Sequence, residues 1–63
     1  MRYENLSNLH EEILLLKDCA KLVDIPYNDS IEISKMAQII ANKAKFLNRE
    51  DIIEILQFNS LIF

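Results

Sequence analysis

No glycine occurs anywhere in the 63 residues, and Pro26 is the only proline. This constrains the fold more than any other feature of the chain. Hairpin turns at positive φ, phosphate-cradling loops and dinucleotide-binding fingerprints all draw on glycine's backbone freedom. The α-helix is the regular structure least in need of it. Apolar residues recur here at alternating intervals of three and four, so the expected class is all-α.

Capping residues and spacing predict three helices, at about 6–24, 30–46 and 49–60. The first opens near Asn8, which forms a capping box with Glu11, or earlier at Asn5. Its apolar seam is Leu6, Leu9, Ile13, Leu16, Ala20 and Val23, a heptad-like series. Pro26 ends it, because proline drives the preceding residue out of helical geometry, and Ile25-Pro26-Tyr27-Asn28 is the connection. Asp29-Ser30-Ile31-Glu32 repeats the capping-box pattern and opens the second helix, whose seam is Ile33, Ala37, Ile40, Ala44 and Leu47. Asn48 then caps a third helix with Glu50 and Asp51 in its first turn, where acids suit the helix dipole. The tail from Phe58 to Phe63 either extends this helix or peels away. The expected architecture is a small three-helix unit, with helices 1 and 2 as an antiparallel hairpin and helix 3 closing over it. Residues 1–63 form a single helical interaction domain.

A chain this short hides only about 60% of its extended surface, so its core is marginal. Small chains compensate with disulfides, a metal or oligomerisation. Cys19 is the sole cysteine and His10 the sole histidine. Neither an internal disulfide nor a metal-ligand cluster is expected, and no cofactor is called for. Oligomerisation is left. Hydrophobic residues make up 51% and charged residues 27%, with mean hydropathy +0.05, the balance of an amphipathic chain. The longest apolar run, Ile13-Leu14-Leu15-Leu16, is one helical turn, far short of the ~18 residues of a membrane span. Met1-Arg2-Tyr3-Glu4 lacks the character of a secretory leader, so a reducing cytoplasm with Cys19 as a free thiol is expected.

Residues with chemical potential are few. His10 lies in the first turn of its helix with no nucleophile at a recognisable spacing, which favours a solvated histidine over a general base. Cys19 falls in an apolar stripe and reads as a small buried hydrophobe. The acid pairs Glu11-Glu12 and Glu50-Asp51 suit helix first turns better than the opposed carboxylates of a hydrolase. No catalytic constellation emerges, and the expected protein is not an enzyme.

Each seam has a second apolar edge. Leu15, Cys19 and Leu22 lie beside the first, and Met36, Ile39 and Phe46 beside the second. Ile53, Phe58, Leu61 and Ile62 give the third helix and its tail an apolar surface on several sides. One core requires a stripe about 100° wide, and these stripes are wider. The ten residues are therefore candidates for a partner interface, since exposed apolar patches mark contact sites. The stretch from Ile33 to Arg49 carries Lys35, Lys43, Lys45 and Arg49 without an acid, although the chain has a net charge of −3. Lys43, Lys45 and Arg49 are thus candidate nucleic-acid contacts under an alternative reading, a small helical DNA-binding regulator. Four charges make a weak electrostatic footprint, and the expected turn lacks the usual glycine.

The plan of a short acidic helical hairpin resembles the small phosphatases of sporulation response regulators. Those carry Ser-Gln-Glu-Leu-Asp on the second helix. The corresponding stretch here, Ile33-Ser34-Lys35-Met36-Ala37, lacks the acid that chemistry needs, so the family's activity is not carried over. The preferred reading is a non-catalytic protein–protein interaction module. It would associate with itself, with a protein target, or with both, as a small regulator, inhibitor or chaperone-like subunit.

Overall fold

A computed structural model describes the backbone from Arg2 to Ile62 and the side chains from His10 to Ile62. The chain forms three helices, α1 (Arg2–Leu22), α2 (Ile33–Phe46) and α3 (Glu50–Phe58), with no strand among the described residues. The helix α1 runs back through both expected starting points, Asn8 and Asn5, so neither asparagine opens it. The side chains of Leu6 and Leu9 lie outside the described residues.

All three helices end in the same way. Asp24, Asn48 and Ser60 adopt the left-handed conformation, with φ of 63°, 59° and 59°. Each follows a terminal residue of a Schellman motif, in which two backbone N–H groups return to carbonyls of the last turn. Asp24 N–H donates to Lys21 and Ile25 N–H to Ala20; Asn48 donates to Lys45 and Arg49 to Ala44; Ser60 donates to Gln57 and Leu61 to Leu56. Glycine is the residue most suited to that position, so this glycine-free chain fills it three times with short polar side chains. Helix α1 therefore stops before Pro26 acts, and the reversal belongs to Asp24.

The second helix begins three residues later than its capping pattern suggests. Asn28 captures that segment: its side-chain oxygen accepts from Ser30 N–H at 2.9 Å, and its carbonyl accepts from Ile31 N–H at 3.1 Å. This Asx turn competes with a helical first turn at Asp29. Glu32 then stands at the N-cap without a side-chain capping bond. The third helix likewise has Arg49 at its N-cap, since Asn48 is already committed to ending α2.

The core takes one stripe from each helix. Leu16, Ala20 and Val23 of the first seam are buried, as are Ala37, Ile40 and Ala44 of the second, with Ile52 and Leu56 from α3. Alanines at positions 37, 41 and 44 of α2 let the neighbouring backbones approach closely, and α2 packs against both α1 and α3. Leu47, the expected end of the second seam, is 42% exposed because the helix has already stopped. Leu61 and Ile62 turn back after Ser60 and pack against the core. The tail neither continues α3 nor leaves the domain up to Ile62; Phe63 lies outside the described residues.

At about 1.5 Å per residue, α1 is about 32 Å long and α2 about 21 Å, so α1 overhangs its neighbour. The radius of gyration, 11.4 Å, exceeds the ~10.6 Å of a compact chain of this length.

Candidate interaction surface

The structure distributes the ten candidate interface residues among three environments. Cys19 and Met36 belong to the core, each 1% exposed. Leu15, Ile53, Leu61 and Ile62 are half-buried and pack against the core from its margins. Leu22, Ile39, Phe46 and Phe58 are exposed, the two phenylalanines at 80% and 89%. Leu14, Leu47 and Ile55 join them as exposed apolar residues. Their signal was present in the spacing: Leu14 and Ile55 sit off the seam of their helices, and Leu47 depends on where α2 ends. Met36 is a correction as an interface candidate, because the stripe that faces the core takes in the position beside the seam. Cys19 also leaves the interface set, and its burial agrees with its reading as a small buried hydrophobe.

The exposed apolar residues occupy distinct flanks. On α3, Ile55 and Phe58 line a shallow hollow together with Asp51, Glu54 and Asn59. The opposite flank of α3 faces α2, where Ile53 and Gln57 share a hollow with Gln38, Ala41 and Lys45. On α2, Ile39 and Met36 border the α1–α2 connection with Ile25 and Tyr27. That connection, Val23 to Glu32, lies back against α1: Lys17 Nζ sits 5.7 Å from the centroid of the Tyr27 ring, within cation–π range. The Tyr27 ring is half-buried and packs against the edge of the core.

Of the three candidate nucleic-acid contacts, Lys45 is exposed and Lys43 half-buried. Arg49 is engaged: its Nε and Nη2 donate to the two carboxylate oxygens of Asp51 at 3.1 and 2.9 Å. This bidentate bond holds the Asp51 carboxyl below its ordinary pKa and raises that of Arg49. An arginine so paired offers less free charge to a phosphate.

His10 is exposed, and no group of three or more His, Cys, Asp or Glu side chains is placed to hold a metal among the described residues. Burial pushes the Cys19 thiol above its ordinary pKa, with the nearby charges of Asp18 and Asp51 adding to the effect. A raised pKa keeps the sulfur protonated and unreactive. Among the described residues, no helix is long and apolar enough to cross a membrane. Compared with protein-family models, curated proteins and solved structures, the chain matches none.

Proposed function

We propose that this protein is a non-catalytic interaction module that covers its exposed apolar flanks with a protein partner, as an oligomer, with a target, or both. The reading rests chiefly on Phe46 and Phe58, 80% and 89% exposed in a chain with so small a core. Each ring leaves on the order of 150 Å² of apolar surface in water, on separate flanks that exposed Ile39 and Ile55 extend. The free thiol of Cys19 suits a reducing cytoplasm. The DNA-binding alternative is weakened by the Arg49–Asp51 pair.

The test is a Phe46→Ser, Phe58→Ser double variant. Both rings are largely in solvent, so the helical circular-dichroism signal should persist. Association, read by sedimentation and by partner capture from the native host, should fall sharply. A folded double variant with unchanged oligomeric state and unchanged capture would refute the module. Salt-sensitive binding of the wild type to duplex DNA, lost on changing Lys43, Lys45 and Arg49 to glutamine, would establish the alternative instead.

A further inference from the structure

Two of the exposed flanks are complementary in charge as well as in chemistry. On α2, Lys35, Ile39, Lys43 and Phe46 are spaced four, four and three apart, so they share one face. Ile39 is 41% and Phe46 80% exposed, and the helix carries no acidic residue. This is an apolar strip with a basic border, about 16 Å long. On α3, Ile55 and Phe58 are bordered by Asp51 and Glu54, and the helix itself carries no basic residue. This second strip is acidic and about 10 Å long. Within one molecule the strips do not meet. The helices α2 and α3 pack through a shared core that includes Ile40, Ala44, Ile52 and Leu56, and Ala41, Lys45, Ile53 and Gln57 line a hollow at its edge.

We propose that the acidic apolar flank of α3 docks the basic apolar flank of α2 from a second copy of this chain. The inference rests on the interaction-module reading and names its partner. Phe58 and Ile55 would pack against Ile39 and Phe46, burying apolar surface on both sides. Glu54 would face Lys43 or Lys35, with Asp51 less available because Arg49 already holds it. The acidic rim argues for a basic occupant, and the α2 strip is the basic amphipathic surface this chain itself supplies. Because the two flanks differ, the contact is either reciprocated across a twofold axis or repeated head to tail.

Sedimentation of the purified full chain at tens of micromolar in low salt tests this. The wild type should sediment as more than the 7.4 kDa monomer. Glu54→Lys and Lys43→Glu should each weaken association about tenfold or more, since each sets like charges together. Combining both in one chain should restore association, and so should mixing the two single variants. Phe58→Ser should weaken it about thirtyfold, as loss of a central aromatic anchor does. All three positions border solvent, and unchanged circular dichroism confirms that each variant is folded. A monomeric wild type, or a charge-swapped double variant no better than the singles, overturns the proposal. If the wild type is monomeric but still captures a target through Phe46 and Phe58, self-docking fails while the interaction module stands. If it does neither, both fail.

Discussion

Asp24, Asn48 and Ser60 each hold a backbone conformation that costs an L-residue about 1–2 kcal/mol, less for asparagine and aspartate. Replacing them with glycine removes that cost but adds unfolded-state freedom, a loss of about 0.5–1 kcal/mol. The net effect depends on how poorly the native residue tolerates positive φ. Ser60→Gly should therefore stabilise most, by up to about 1 kcal/mol, and Asn48→Gly least. Urea unfolding midpoints check the order, and a Ser60→Gly variant less stable than wild type contradicts it. Cys19 supplies a second test at this scale. Its folded-state pKa is raised by burial and then by Asp18 and Asp51. A raised value means that the folded state holds the proton more tightly, so stability is complete below the ordinary thiol pKa of about 8.5. It declines as the pH climbs from there through the folded value. Wild type should lose thermal stability between neutral and strongly alkaline pH more steeply than Cys19→Ala, whose curve lacks this contribution. Parallel curves would mean that the thiol does not couple to folding.

At the scale of the elements, the mid-seam residues were legible and the ends were not. Leu16 and Ile40, each at the centre of an alternating three-and-four series, are fully buried. Truncating either to alanine should cost about 2–5 kcal/mol, enough to unfold a domain this small. Losses below about 1 kcal/mol for both, from denaturant titration, would place them outside the load of the core. The helix ends depend on competition that a local pattern does not rank. Asn28 and Asp29 both offer a side chain to the same segment, and Asn28 takes it with an Asx turn. Asn48 could begin α3 or end α2; the three-residue interval between the helices allows one role, and the Schellman bonds to Lys45 and Ala44 decide it. The interface candidates show the same limit. Spacing placed Met36 beside its seam, but only the width of the packed contact shows that it lies inside it.

For the whole molecule, what matters is how a core with eleven buried residues among the described side chains, four of them alanine, is held together. The other apolar side chains among the described residues are divided between half-buried margins and open flanks, and no disulfide is available to a single buried cysteine. If a second copy covers those flanks, folding and association are linked, and stability depends on protein concentration. The size of that dependence follows from mass action. Each tenfold rise in concentration favours a dimer by about 1.4 kcal/mol, or about 0.7 kcal/mol per chain. For domains of this length, 1 kcal/mol moves the thermal midpoint by about 4–8 °C. The midpoint of the wild type should thus rise by about 3–5 °C for each tenfold increase in concentration, over the range in which the dimer dominates. Phe58→Ser should flatten that slope, because the variant unfolds as a monomer whose stability has no concentration term. A wild-type midpoint independent of concentration would show that α1, α2 and α3 are stable alone, and the exposed phenylalanines would then serve a different protein. A slope retained in Phe58→Ser would place the association surface elsewhere, with Leu14 and Leu22 on α1 the next residues to change.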